Sequence, residues 1–339
     1  MATIKDVAKL SGVSVTTVSI IANGKSEERK ISAATCQKVR EAMRQLGYQP
    51  NLSARRLRYQ DSTKPSIAFF WPLDYRTSIL ASFLNAFQRE IQESGFACEL
   101  VVQTYENDHL DQYDGAILRN GYSGIVVGAC SIKDLKHLEE LSPQMPLVLI
   151  NRESQLFSTV CTDNKAVGLT AATQIRQRGY TEAAVFSTQH SYVATGLRVQ
   201  AFLDACSQIG LQVLPEHILK GPASIQGGFQ VGEAYCQLPD PPKIIFCDSD
   251  SLALGALRSF YNHQLRVPED VELLTISMLD PEHTAYSIPS LSVIEMPNQE
   301  IGKAVIRLLQ EKITTSSLEP DHIFLDASLI MRESFRGTP

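Results

Sequence analysis

In the stretch SGVSVTTVSIIANGK, residues 11–25, Val15, Thr16, Thr17, Ser19 and Ile20 stand where the water-facing side of a short helix ordinarily carries Glu or Lys. Small hydroxyls exchange hydrogen bonds at close range, and β-branched side chains make apolar contact with methyl groups. The major-groove edges of DNA base pairs offer both kinds of contact, donors and acceptors beside thymine methyls. Acid–base chemistry is a second possibility, through Asp163, Asp248 and Asp250 with His190. No G-x-S-x-G elbow, phosphate loop, HExxH or Cys/His nucleophile pair accompanies them. The chain is therefore expected not to be an enzyme, and to need no cofactor or metal.

The elements that present the first group are short helices. Thr3 can cap one, with Asp6 three residues on in the capping-box position, and Ile4, Val7 and Leu10 form its expected buried stripe. Gly12 suits the turn that follows. Ser14 then caps a second helix with Val18, Ile21 and Ala22 inward, stopped by Asn23-Gly24. Val15, Thr16, Ser19 and Ile20 are left facing outward. After KSEERK, Ser32 caps a third helix with Val39, Met43 and Leu46 inward, ended by Gly47. Two helices around a glycine-containing turn, braced by a third, make a helix-turn-helix, whose second helix enters the major groove. A three-helix bundle that binds another protein fits the same pattern.

Composition narrows the field. The 339 residues are 44% hydrophobic and 20% charged, the profile of an ordinary globular protein. No apolar run approaches the ~18–20 residues that span a bilayer, and MATIKDVAKLSG carries charge inside its apolar pattern, unlike a secretory signal. Seven dispersed cysteines (36, 98, 130, 161, 206, 236, 247) fit reduced thiols in a cytoplasm. Charge is divided unevenly. Residues 1–62 carry eleven Lys/Arg against five Asp/Glu, net +6, and the remainder carries 20 against 32, net −12. A basic head on an acidic body points to a polyanion for the head alone, with nucleic acid and membrane surface both open on charge.

TIKDVAKLSGVSVTTVSIIANG, followed by ISAATCQKVREAMRQLGYQPN, resembles the DNA-binding head of the lactose repressor (LacI/GalR) family. The resemblance spans about fifty residues without a gap. It implies contacts to operator DNA from Thr3, Lys5, Ser14, Val15, Thr16, Thr17, Ser19, Ile20 and Asn23. NLSARRLRYQD, residues 51–61, then resembles the family's hinge helix, which orders on operator DNA and enters the minor groove. Asn51 would cap it, Ala54 and Leu57 share a face with Leu57 as the wedge, and Arg55, Arg56 and Arg58 suit phosphates.

From residue 66, apolar strand-like runs (SIAFFW, ACELVVQ, SGIVVG, PLVLIN, AAVFST, KIIFCD, VELLTIS) alternate with helical stretches, which predicts parallel sheets covered on both faces, in two lobes. The resemblance extends here through Asp163-Asn164 with Gly168, Arg178-Gly179-Tyr180, Arg198…Phe202 with Ala201 in place of a Gly, Phe246–Gly255 and Ile288–Leu291. It implies an α/β body of the type I periplasmic-binding-protein fold behind the all-α head, with a ligand cleft between lobes joined by three crossovers. The expected division is 1–48 for the helix-turn-helix, 49–62 for the hinge and linker, and 63–339 for the effector-binding and dimerisation body. Lobe 1 would take about 63–161 and 291–320, and lobe 2 about 162–290 and 321–335, with crossovers near 162, 290 and 321. Ligands in such sheets lie beyond the carboxyl ends of strands. The cleft candidates are therefore Asp74, Tyr75, Arg76, Asn151, Asp163, Arg198, Ser249, Asp250 and Ser277. Capping of a following helix is the competing role for Asp163 and Asp250, and a buried ion pair for Arg198.

Departures limit the ligand. Ser249 replaces a usual Asn, the strand ending Ser277-Met278 lacks the carboxylate that grips sugar hydroxyls, and the family's stacking aromatic maps near Ala223. A carbohydrate, a sugar phosphate held by Arg76 and Arg198, or another metabolite are open. The expected function is a cytoplasmic, sequence-specific repressor, binding a near-palindromic operator as a homodimer with no added leucine heptad for a tetramer. A further departure is Ile20, where the family commonly has an Arg for guanine. A bidentate Arg–guanine pair discriminates by ~1–3 kcal/mol, and Ile offers apolar contact alone. Selection from a random-site duplex library should return A·T opposite Ile20; a strong guanine preference there would refute this reading.

Overall fold

The computed structural model describes residues 4–22, 31–46, 64–74, 77–118, 121–189 and 193–336. The chain divides into two compact units, Met1–Thr63 and Lys64–Pro339. Thr3, Asn23, Asn51, Ala54, Arg55, Leu57, Arg58, Tyr75 and Arg76 lie outside the described residues, as does the rest of the expected hinge at 49–62.

Three helices make up the described part of the first unit: α1 (Ile4–Ser11), α2 (Val15–Ala22) and α3 (Ala33–Gln45). Hydroxyl caps start two of them. Ser14 Oγ accepts the Thr17 N–H at 3.1 Å, and Ser32 Oγ accepts that of Thr35 at 3.3 Å. Gly12, at φ +69°, makes the turn between α1 and α2. Val7, Ala8, Val18, Ile21, Cys36, Val39 and Ala42 form a shared core, with Met43 and Leu46 packed at its margin. Leu10 departs from expectation, at 50% exposed. Steps of three residues drift by about 60° each around a helix of 3.6 residues per turn, so by Leu10 the stripe has left the core face, and Ala8 takes its place.

The second unit holds two six-stranded sheets. The first is built from β1 (Ser66–Pro72), α4 (Thr77–Ser94), β2 (Glu99–Tyr105), α5 (Asp114–Leu118), β3 (Gly124–Gly128), α6 (Ile132–Leu141), β4 (Leu147–Ile150) and β5 (Ser158–Thr162). The second is built from α7 (Asn164–Gln177), β6 (Ala184–Thr188), α8 (Val193–Ile209), β7 (Ile218–Gly221), α9 (Ile225–Cys236), β8 (Ile244–Cys247), α10 (Asp250–Asn262), β9 (Glu272–Ser277), α11 (Pro281–Ala285) and β10 (Ser292–Glu295). The chain then forms α12 (Asn298–Thr315), β11 (His322–Leu325) and β12 (Ser328–Ile330). Strand order is β11-β5-β4-β3-β1-β2, all parallel, and β12-β10-β9-β8-β6-β7, parallel except for the antiparallel edge pair β10–β12.

Both faces of each sheet are covered, which is why the strands are apolar throughout. Along β1, Ile67, Phe69 and Trp71 point into one core, shared with α4 and α12, and Ala68 and Phe70 into the opposite one. In β8, Ile244 and Phe246 face one core and Ile245 and Cys247 the other. The lobe boundaries expected from sequence need correction. β10 stays in the second sheet, pairing Ser292 with Leu274, and the second crossing comes only at Pro297, before α12 packs on the first lobe. β11 belongs to the first sheet, pairing His322 with Thr159, so the third crossing lies at Asp326-Ala327. β10 and β11, four residues each, carry no local signal that names a sheet. Parallel pairing with β9 and β5 decides their sheet.

Glycines let the helices of the second lobe approach to backbone contact. A Cβ on Gly255 of α10 would collide with the Ile225 carbonyl of α9, and one on Gly228 with the Leu252 carbonyl. One on Gly168 of α7 would lie 2.5 Å from the Phe202 N of α8. Because main chain cannot yield as a side chain can, Gly255→Ala should cost about 3 kcal/mol or more, the upper end of overpacking in a close-packed core. Urea unfolding of the full-length protein should show the loss as a lower midpoint at unchanged slope.

Candidate functional site

On α2, Val18 and Ile21 are buried against α1 and α3, and this fixes which residues face away. Ser14, Val15 and Thr16 are exposed, and Thr17, Ser19 and Ile20 are half-buried along the same ridge. The Thr17 hydroxyl lies 2.9 Å from Ser14 Oγ, so these two are joined in the cap that starts the helix. Lys5 is exposed on α1. The ridge presents hydroxyls and β-branched methyls at the N-terminal end of an eight-residue helix that carries no charged side chain.

In the second unit a cavity of about 50 Å³ lies between the lobes. Trp71, Ile79, Phe83, Ala129, Ile150, Asn151 and Arg152 line it from the first lobe, and Ala194, Thr195, Arg198, Met278 and Met296 from the second, with Asn298 at the start of α12. That volume is small against the several hundred Å³ of an ordinary metabolite site, and Met278 and Met296 are among the side chains that close around it.

Trp71 ends β1 and packs on Phe83 at 5.5 Å and on Phe69 at 5.6 Å between ring centroids. Gly128, at the end of β3, makes its position possible, because a Cβ there would strike the indole ring. Trp71 Nε1 is buried with no hydrogen-bond partner among the described residues. Asn151, just after β4, holds a left-handed φ of +52°, tolerable for Asn. Its Oδ1 accepts the Thr162 N–H at 3.2 Å, tying the ends of β4 and β5. Arg152 donates to the carbonyls of Cys130 and Asn151, at 2.5 and 2.6 Å. Arg198, 3% exposed on α8, donates through Nε to Asn164 Oδ1 at 2.8 Å and through Nη1 to Met278 Sδ at 3.4 Å.

Of the residues expected in the cleft, the structure brings Asn151 and Arg198 to the cavity. Asp163, Ser249, Asp250 and Ser277 serve the scaffold instead. Asp163 is the exposed N-cap of α7, accepting the N–H groups of Lys165 and Ala166, and Ser249 caps α10. Asp250 Oδ2 accepts from Ser277 Oγ at 3.2 Å and from the Met278 and Leu279 N–H groups, both at 2.9 Å. For Asp163 and Ser249 the reason is general: a short polar side chain directly before a helix is captured by that helix's unpaired amides. Asp74 is half-buried, its carbonyl accepting the Thr77 N–H at 3.1 Å as α4 begins. Sequence reasoning missed Trp71, Phe83, Thr195, Met296 and Asn298. Trp71 had a signal, since it is the last bulky residue of the first strand, at its carboxyl end, three positions before Asp74.

Behind the cavity, Asp248 is fully buried. Its Oδ2 accepts from Ser187 Oγ at 3.0 Å and from Thr188 N at 2.7 Å, and its Oδ1 has no partner among the described residues. Burial lifts this carboxyl from 3.8 to about 6, against the pull of those hydrogen bonds and the Arg198 charge. A folded-state value above the unfolded one means that ionisation destabilises the fold. The penalty is absent below about pH 4 and complete above about pH 6. The stability of the protein relative to its Asp248→Asn variant should therefore fall by roughly 2–3 kcal/mol between pH 4 and pH 7.5, measured by denaturant titration at each pH.

Residues 3–51 match the model of bacterial regulatory proteins of the lacI family, and residues 172–335 match that of the periplasmic binding protein-like domain. The probable HTH-type transcriptional repressor ExuR of Bacillus subtilis (strain 168) is 28% identical over 99% of both chains. The HTH-type transcriptional repressor CytR of Escherichia coli (strain K12) is 26% identical over 100% of this chain and 97% of its own. The crystal structure of a LacI family transcription regulator from Clostridium acetobutylicum superposes with a TM-score of 0.76 at 30% identity, covering 79% of this chain and all of that one.

Proposed function

Because the chain belongs to the LacI family and is a DNA-binding transcriptional regulator, we propose that it is a repressor whose grip on a two-fold operator is set by a small oxygen-rich metabolite bound between its lobes. The observation that carries the DNA half of this reading is the outer ridge of α2. Val15 and Thr16 are exposed and uncharged while Val18 and Ile21 anchor the helix from behind. A ridge of that chemistry meets base edges, with Lys5 placed for a phosphate. The hinge residues Asn51, Ala54, Arg55, Leu57 and Arg58 belong to the same proposal, as phosphate and minor-groove contacts. Two copies of the head reading a palindrome require a dimer.

Support for the effector half comes from the convergence of Trp71, Asn151, Thr195, Arg198 and Asn298 around a narrow inter-lobe cavity that Met278 and Met296 also line. A molecule entering there must push these side chains aside or part the lobes. Binding that favours one lobe arrangement then biases the hinges, with a coupling of typically ~1–3 kcal/mol that acts equally in both directions. A sugar or sugar derivative fits the polar groups, and a non-sugar metabolite is the alternative.

The test is duplex binding by the full-length protein, on sites recovered from a random library. Thr16→Ala should weaken binding about 5- to 100-fold at its base step, the range of a lost base contact. Affinity should also fall steeply with salt, by about an order of magnitude or more between 50 and 200 mM, because released counterions accompany every neutralised phosphate. Equal affinity of the parent and Thr16→Ala proteins for the selected duplex would refute the assignment of this ridge to the groove.

A further inference from the structure

Two side chains of α2 have no place in the packing of the head. Val15 and Ile20 stand outside its shared core and outside the margin that Val13, Ile31, Met43 and Leu46 form. Val15 is 40% exposed, and Ile20 is half-buried on the outward ridge. A helix surface made for water alone would carry polar residues at both positions. The Thr17 hydroxyl, also on the ridge, is joined to Ser14 Oγ at 2.9 Å inside the cap. Ile20 holds hydrocarbon alone, so it has no means of telling one hydrogen-bonding edge from another. Val15 lies five residues earlier, about 7.5 Å back along the helix axis. That is about two base-pair steps of 3.4 Å, so the two side chains meet different pairs when the helix lies along a groove.

Resting on the reading that this ridge enters the major groove, we infer that Ile20 selects a pyrimidine for its C5-methyl group alone, so that 5-methylcytosine serves it as well as thymine. In the groove thymine shows an O4 acceptor beside its C5-methyl, and cytosine shows an N4 donor with a bare C5–H in the methyl's place. Methylation of cytosine supplies the methyl and leaves the N4 donor as it was. Ile20 therefore touches the one feature that thymine and 5-methylcytosine share. Covering that methyl is worth about 3- to 5-fold in affinity, the effect of one buried methylene. The hydrogen-bonding edge, acceptor in one base and donor in the other, finds no partner on Ile20. A half-site with C·G at this step is then weak as cytosine and strong as 5-methylcytosine, and occupancy of such an operator follows a covalent mark on the DNA.

The full-length protein would be measured on the duplex recovered by random-site selection. Deoxyuridine is placed for each thymine of one half-site in turn, which removes a single methyl and nothing else. The step at which the resulting loss vanishes in Ile20→Ala is the step that Ile20 reads. At that step four pairs are compared: T·A, U·A, C·G and 5-methylcytosine·G. The parent protein should bind the two methylated bases within about two-fold of each other, because both present the methyl. It should bind U·A and C·G about 3- to 5-fold more weakly. Ile20→Ala should level each methylated base with its bare counterpart. Ile20→Val keeps branched methyls and should preserve the parent's order, which guards against a fold effect of the alanine variant. A selected duplex in which no thymine methyl couples to Ile20 overturns the assignment. So does 5-methylcytosine bound no better than cytosine. In both cases binding to the selected duplex leaves the groove reading standing. Failure to select any duplex at low salt overturns the groove reading, and the methyl assignment with it.

Discussion

In a parallel sheet every strand ends on the same edge, and in this body two such edges meet across a cavity. The constraint that follows is one of hydrogen-bond accounting. Each strand delivers a polar turn to the edge, each following helix opens with unpaired N–H groups, and buried polar atoms must be matched. Side chains at the strand ends are therefore divided between two duties. Asp163, Ser249 and Asp250 satisfy helix amides and the loop after β9, and what remains, chiefly Trp71, Asn151 and Arg198, meets the cavity.

Those two duties are linked in series. Gly128 leaves space for Trp71, and Trp71 packs on Phe83 of the helix that follows its own strand. Across the cavity, Asp250 fixes the main chain of Met278, and Met278 carries the sulfur that touches Arg198. A residue one contact removed from the cavity thus positions one of the side chains that a guanidinium inside it meets. Ser277, expected to touch a ligand, instead donates to Asp250 and so steadies the same loop.

Much of the head was legible in sequence because its rules are local. Ser14 and Ser32 cap by their position, and Val18, Ile21 and Val39 bury by their spacing. Leu10 escaped because a stripe counted in threes drifts off the helix face. In the body, the wholly apolar strands were legible, the four-residue β4 and β8 included, and the short mixed strands after β9 were not. Strands of three or four residues such as β11 and β12 are assigned to a sheet by their partners, and no local signal in His322–Leu325 names β5. The cavity was the least legible part. A carboxylate before a helix and a carboxylate before a ligand look alike in sequence, and Trp71 inside a strand reads as core until the facing lobe is known.

The glycine seam between α9 and α10 has a mechanical meaning. With carbonyls of one helix against the main chain of the other at Gly228 and Gly255, neither helix can slide past its neighbour by a fraction of a turn. The second lobe is in this respect a stiff block, and motion between the lobes has to be absorbed where the chain crosses at Asp163, at Pro297 and at Asp326-Ala327. Three short connections then act together as one axle, and whatever enters the cavity can be felt at a distance only as rotation about it.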